Sequence, residues 1–238
     1  DKLLGRAGEG IGDVDIVLDT MSGVEFSTAV LEHFRGQKIV SGMGVVRRNP
    51  EQSKHLESAS MHLFGAGVDV VHMRSEDYTE DSRIPGVQVG TPVSDTERRD
   101  FTVNALYYNL RTRRVEDFTG RGLEDLRRRV LSTPVPPLQT FRDDPLRLLR
   151  AVRFAATLGF ALDPAIVAST QGEGGAQVRA ALSRKVSSER VGLEMEKALG
   201  AAANGFTRAA ALLHLLGLWE TVLDTSKATA TGDGDGDG

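Results

Sequence analysis

The sequence predicts an α+β chain in two parts, and three observations carry that prediction. Short runs of alternating apolar residues recur through the first half, interspersed with helical periodicity. Pro134, Pro136 and Pro137 then form a stiff linker and a plausible boundary. Beyond them the apolar spacing is helical. Of the 238 residues 40% are apolar and 26% charged, as in an ordinary globular protein. No apolar run approaches the roughly 20 residues that cross a bilayer. The absence of Cys excludes disulfides and thiolate zinc sites.

In chain order, Asp1–Gly5 reads as the end of a helix and 6–12 as a Gly-rich loop. Gly12–Asp19 is a strand, because Val14, Ile16 and Leu18 alternate with Asp13, Asp15 and Val17. Asp13 and Asp15 then share a face, about 6.5–7 Å apart at Cα. Carboxylates that close repel unless a cation sits between them. Mg²⁺ is suited to such a pair, needing only one or two carboxylates plus substrate phosphates. The alternative is an acidic outer face. Ser22-Gly-Val-Glu25 is a capping box that opens a helix to about Phe34, closed by Gly36. Lys38–Val46 is a further strand, and Asn49–Ser53 a polar loop. Ala59–Phe64 and Val68–Met73 read as two strands joined at Gly65-Ala-Gly67. Asp69 lies mid-strand. It is either an edge charge that blunts aggregation or a third carboxylate facing Asp13 and Asp15.

Residues 74–93 read as a long loop. Ser94-Asp-Thr-Glu97 is a second capping box, predicting a helix through Leu106. Arg98 and Arg99 would then lie in its first turn, where the dipole disfavours cations unless an anion binds. Val115–Phe118 is a short strand, Gly122–Arg129 a helix and Val130–Ser132 a strand. Asp144-Pro145 makes an N-cap and N1 pair, with Gly159 as the stop. Asp144 and Arg147 are three apart and can meet, as an ordinary surface pair or as working groups. Further helices are expected at about 176–184, 187–199 and 205–217. The Gly/Asp repeat at the end lacks the pattern of a Ca²⁺ loop and reads as disordered. Residues 98–153 hold 13 Arg, no Lys and 7 acids, a balance of +6 in a chain of net charge −4. That suits a phosphate or nucleic-acid surface, or solvated helix faces.

Four motifs in this order resemble the class II tRNA nucleotidyltransferases, the CCA-adding enzymes of the polymerase-β-like and poly(A) polymerase superfamily. Asp1-Lys-Leu-Leu-Gly5 with Asp13-Val-Asp15 is similar to the second half of their motif A, and Arg98-Arg-Asp-Phe-Thr-Val-Asn-Ala105 to motif B. Asp143-Asp-Pro-Leu-Arg147, running into Leu148–Phe154, is similar to the nucleotide-selecting motif D. Ser188-Glu-Arg-Val191 with Glu194 and Lys197 is similar to motif E. Asn49–His55 and Asp117-Phe-Thr-Gly-Arg121 resemble eukaryotic members in particular.

The resemblance implies a nucleotidyltransferase head over 1–133 with a mixed sheet, and an all-α neck over 134–200. A partial body over 201–224 and a low-complexity tail over 225–238 follow. It implies CCA addition to the 3′ end of tRNA from CTP and ATP, with release of pyrophosphate. Asp13 and Asp15 would hold two Mg²⁺, with Asp69 as the third catalytic carboxylate. Arg99 and Asp100 would contact the ribose, and Asn104 the triphosphate. Asp144 and Arg147 would read the base, supported by Arg150. The implied partners are tRNA and nucleoside triphosphates, not a membrane. The implied location is intracellular: cytoplasm, nucleus or mitochondrion. The family's motif A opens with a Gly-Gly turn and an Arg ahead of the position of Asp1, and its helical body runs further. The chain is therefore expected to be truncated at both ends, with weak or no activity. A poly(A) polymerase, a CC-only or A-only enzyme, and an inactive RNA-binding remnant remain alternatives.

Overall fold

Val14, Ile16 and Leu18 turn the alternation of β1 (Val14–Leu18) into a packed face. The computed structural model that shows this describes residues 14–37, 39–46, 58–79, 82–200 and 204–223. The predicted helix at Asp1–Gly5, Asp13, the Asn49–His55 segment and the Gly/Asp tail lie outside the described residues. The chain divides into two compact units, 1–77 with 84–95 and 78–83 with 96–238.

In the first unit, β2 (Val40–Val46), β3 (Ser58–Leu63) and β4 (Ala66–His72) join β1 in a four-stranded sheet ordered β1-β4-β3-β2. The β1–β4 pair is parallel and the others antiparallel. Met61, Val68 and Val70 form its buried centre. Helix α1 (Gly23–His33) supplies Phe26 and Val30 to that side. Both bonds of the predicted capping box are present, Glu25 N–H to Ser22 Oγ at 3.1 Å and Ser22 N–H to Glu25 Oε2 at 2.8 Å. A Cβ on Gly23 would stand 2.5 Å from the Val70 carbonyl oxygen, so only glycine lets α1 start this close to β4.

Two predictions for this region are corrected. The loop expected over 74–93 contains a two-stranded ribbon, β5 (Arg74–Thr79) and β6 (Ser82–Val89), and then the start of a helix. β5 is polar throughout, and Pro85-Gly86 interrupts the apolar residues of β6, so no sustained alternation is there to read. Helix α2 spans Pro92–Glu97 rather than Ser94–Leu106. Its start is fastened three residues earlier than predicted. Thr91 N–H donates to Ser94 Oγ at 2.8 Å, and Ser94 N–H to Thr91 Oγ1 at 3.2 Å. After Glu97, local bonds pull the backbone out of the helix. Asp100 Oδ1 takes the Phe101 N–H, and the Thr102 N–H goes to the Ser132 carbonyl. A 3₁₀ turn over Thr102–Asn104 leads to β7 (Leu106–Asn109), paired antiparallel with β8 (Arg114–Asp117). Arg98 and Arg99 thus follow the C-terminal end of α2, where the dipole favours cations and no anion is required.

In the second unit, α3 (Gly122–Arg128) and β9 (Val130–Leu131) precede α4 (Pro137–Asp143) and α5 (Leu146–Leu158). Then come β10 (Ala161–Leu162), parallel to β9, and α6 (Pro164–Ser169), α7 (Gly172–Lys185), α8 (Ser188–Leu199), α9 (Gly205–Leu215) and α10 (Trp219–Leu223). Helix α5 is the axis of the unit. Its Leu148, Leu149, Ala151, Val152 and Ala155 are buried, and it packs on α4, α8 and α9. Gly159 ends it at φ +71°. No described helix is long and apolar enough to cross a membrane.

The Asp117–Arg121 motif is a structural knot. Asp117 Oδ1 accepts from the Thr119 N–H at 3.0 Å and Oδ2 from the Leu123 N–H at 3.0 Å, which starts α3. Arg121 bridges Asp125 and Asp163 at 3.2 and 2.6 Å. Asp163 also caps α6 through the Ala165 N–H and accepts from Ser132 Oγ. Burial disfavours its charge, but the Ala165 N–H, Arg121 and Ser132 outweigh that and lower its pKa. A depressed carboxylate contributes stability above the unfolded pKa and loses it as pH falls through the folded one. Asp163→Asn should therefore cost about 1–2 kcal/mol at neutral pH. Urea denaturation at stepped pH should show the gap to the wild type closing only in acid.

Candidate active site

The first unit carries a polar row on the sheet face away from its core. Asp15 and Asp69 stand in register on the parallel strands β1 and β4, and both are exposed. Ser60 on β3 is in register with Asp69, and Gly44 on β2 with Ser60. In-register neighbours on parallel strands present their side chains to one face, with strands about 4.8 Å apart. Asp69 was open to two readings in the sequence. Strand β4 lies between β1 and β3, so the edge-charge reading falls, and the acid faces Asp15.

Ser60 Oγ donates to Asp69 Oδ1 at 2.6 Å, fixing the carboxylate's orientation. Gly42, Gly44 and Gly67 border a groove there together with Ser60, His62 and Asp69. These glycines leave room for a ligand beside Asp69. Among the described residues no three His, Asp or Glu side chains gather into a metal cluster. The donor set nonetheless fits Mg²⁺, which needs only one or two carboxylate oxygens and keeps its remaining positions for water and phosphate. Removing the serine hydroxyl should loosen that set. Ser60→Ala is expected to weaken Mn²⁺ binding about tenfold, read by metal titration, with the thermal midpoint little changed.

The second unit gathers the other predicted residues around α5. Asp144 precedes Pro145 in extended conformation, and its Oδ1 accepts the Leu146 N–H at 3.1 Å. Its carbonyl accepts the Arg147 N–H at 3.0 Å. Asp144 thus caps α5 as the sequence predicts, and Pro145 already has helical angles (φ −59°, ψ −24°) ahead of Leu146. Arg147, three residues on, is buried and donates from Nη2 to the Arg98 carbonyl at 2.6 Å. That bond ties the motif D helix to the motif B segment.

Asp100 is buried and its acceptors are occupied. Oδ1 takes the Phe101 N–H at 2.9 Å and Asn104 Nδ2 at 3.0 Å. Oδ2 takes Arg150 Nε at 2.8 Å and Nη2 at 2.7 Å. Arg150 also reaches Glu194 Oε1 on α8 at 3.5 Å, and Arg153 Nε pairs with Glu194 Oε2. The guanidinium of Arg153 lies 4.0 Å from the centre of the Phe154 ring, which meets Phe101 edge to face. Burial opposes the Arg150 charge, yet Asp100, then Glu194 and Asp144, raise its pKa above the ordinary value. Arg99 lies 5.2 Å from the Tyr107 ring centre and donates to the Asn104 carbonyl.

Motifs B, D and E are therefore one alternating-charge network, Asp100–Arg150–Glu194–Arg153. A ribose hydroxyl at Asp100 would share an engaged carboxylate rather than meet an empty one. Asp100→Ala would leave Asn104 and the Phe101 N–H without this acceptor and Arg150 with only Glu194. It should cost about 2–4 kcal/mol in urea denaturation. Ser60 and the counterion role of Glu194 escaped the sequence reading. The first is a cross-strand partner, and the second lies 94 positions beyond Asp100.

Comparison with known proteins identifies the family and the fold. The family described as Poly A polymerase head domain matches residues 1–132. The mitochondrial CCA tRNA nucleotidyltransferase of Saccharomyces cerevisiae is 50% identical over 204 residues, covering 84% of this chain and 36% of that protein. The tRNA nucleotidyltransferase cca2 of Schizosaccharomyces pombe is 43% identical over 234 residues, covering 96% and 47%. Among solved structures, the CCA-adding enzyme of Bacillus stearothermophilus in complex with CTP matches with a TM-score of 0.69 at 28% identity, over 95% of this chain and 48% of that one. The chain thus spans between about a third and a half of the relatives it matches. The match over 1–132 covers more than half of its residues, and the chain belongs to the poly(A) polymerase head-domain family, in the polymerase-β-like superfamily of the tRNA nucleotidyltransferases.

Proposed function

We propose that this chain carries the catalytic and nucleotide-selecting parts of an intracellular enzyme that adds C and A to the 3′ end of tRNA, using CTP and ATP without a nucleic-acid template. The observation that carries the proposal is the in-register pair Asp15 and Asp69 on the open face of a mixed sheet. The names of the relatives and the CTP bound to the bacterial enzyme support the substrate class. The mitochondrial yeast relative supports a mitochondrial location among the intracellular ones.

Asp15 and Asp69, with Asp13 from outside the described residues, would hold Mg²⁺. Such ions, when bound, lower the pKa of an attacking 3′-hydroxyl and neutralise the departing pyrophosphate. The protein's own part is positioning. Ser60 holds Asp69, and the glycine-bordered groove admits the ligand. In this reading Asp144 accepts a hydrogen bond from the exocyclic amine of C or A, and Arg147 donates one to a neighbouring acceptor on the base. U and G present the opposite pattern, and a buried group left unpaired by the wrong base gives strong rejection. Arg150, held by Asp100 and Glu194, fixes the charge balance beside that pair. Arg99 and Asn104 remain proposed contacts for ribose and triphosphate. Residues 1–133 would supply the catalytic head and 134–200 the selecting neck, with 201–224 opening a helical body.

Thermal unfolding with each of the four nucleoside triphosphates tests this. CTP and ATP should stabilise the chain in a Mg²⁺-dependent way, and UTP and GTP should not. Equal stabilisation by all four, or none that depends on Mg²⁺, would overturn the proposal.

A further inference from the structure

The turn between β7 and β8 is rigid, cationic and unused by the residues discussed above. Asn109 Oδ1 accepts the N–H groups of Arg111 and Thr112 at 2.9 and 3.0 Å, and the Arg113 N–H returns to the Asn109 carbonyl at 2.8 Å. Arg113 adopts φ +55°, closing the turn. The tip thus displays Arg111, Arg113 and Arg114 within four residues, all exposed. None of the three forms an ion pair among the described residues, and the nearby Glu116 is taken by Asn109 Nδ2 at 2.8 Å. Tyr108 and Leu110 beside them are 60% and 75% exposed.

Three guanidinium groups on a pinned backbone repel one another and gain nothing from the protein. A polyanion would offset that repulsion. Phosphates suit guanidinium forks, since they accept two N–H bonds in one plane. An exposed tyrosine ring beside them offers a face on which an unpaired base can stack. We propose that the β7–β8 turn is a docking surface for an RNA backbone, distinct from the residues assigned to nucleotide and metal. The choice of RNA rests on the proposed function. The phosphate chemistry rests on the turn itself.

The test measures fluorescence anisotropy of a labelled tRNA transcript lacking its 3′ CCA, titrated with the full chain at several salt concentrations. Wild type should bind with a steep salt dependence. The triple variant Arg111→Gln, Arg113→Gln, Arg114→Gln should bind at least about tenfold more weakly at low salt, with the log–log salt slope reduced by about two to three. The triple Arg→Lys variant should keep the slope. All three proteins should unfold at the same temperature. A slope unchanged in the Gln variant, or a wild type that does not bind, overturns the proposal. So does a Gln variant that loses affinity for phosphatidylserine vesicles but not for RNA. CTP stabilisation in Mg²⁺ is measured on the same proteins. Its absence alongside turn-dependent RNA binding would sink the catalytic reading and leave the docking surface standing.

Discussion

Asp15→Ala or Asp69→Ala should reduce nucleotidyl transfer by at least about a thousandfold while leaving the fold intact. Both side chains are exposed on the sheet, so neither substitution opens a cavity or strands a buried partner. Charge stabilisation by a metal is worth several kcal/mol, and each 1.36 kcal/mol is about a factor of ten in rate. The thermal midpoint without ligand should move little. Any shift should be upward, since removing one of two adjacent carboxylates relieves their repulsion. The Mg²⁺-dependent part of CTP stabilisation should vanish with the activity. An Asp15→Ala protein that unfolds at much lower temperature would instead mark Asp15 as structural. The Ser60→Ala change separates positioning from ligation, because it leaves both carboxylates in place and should affect metal affinity only in part.

The second large effect is expected at the start of α5. Asp144→Ala should erode discrimination between CTP or ATP and UTP or GTP by about a hundredfold or more in kcat/KM, because selection by paired hydrogen bonds is lost with either partner. Arg147→Ala should do the same at a greater cost in stability. Arg147 is buried and donates to the Arg98 carbonyl, so its removal also takes a hydrogen bond from that part-buried carbonyl. Asp144 also caps α5, so about 1 kcal/mol of its effect is local. Asp144→Asn keeps an oxygen for the Leu146 N–H while reversing part of the base-facing pattern. That variant should hold its stability and still lose selection, and steady-state kinetics with four nucleotides would tell the two apart.

Local chemistry was legible in the sequence, and cross-chain placement was not. The strand at Val14–Leu18, the capping box at Ser22 and Glu25, and the Asp144 cap with its Gly159 stop all came from patterns within a few residues. Asp69 could not be settled this way. Its meaning depends on β4 lying between β1 and β3, and strand order is a property of the whole unit. The segment after Ser94 failed for a different reason. Ser, Thr, Asp and Asn bond to nearby backbone in helices and turns alike. A pattern read as one long helix is instead a short helix fastened at Thr91, a turn governed by Asp100, and a strand.

The motifs themselves were visible as separate words, but their grammar was not. Arg99–Asp100, Asp144–Arg147 and Glu194 read as three sites. The folded chain makes Asp100 the anchor of Arg150, and Glu194 the counterion of both Arg150 and Arg153. Burial explains why. Two acids and two arginines in alternation can leave water only together, since any one removed strands its neighbour.

The most direct measurement is sequencing of the 3′ end of a tRNA transcript lacking CCA after incubation with this chain, Mg²⁺ and all four nucleoside triphosphates. Two C residues followed by a single A, absent with Asp15→Ala, is the predicted product. A long run of A, or incorporation of U or G, would contradict it.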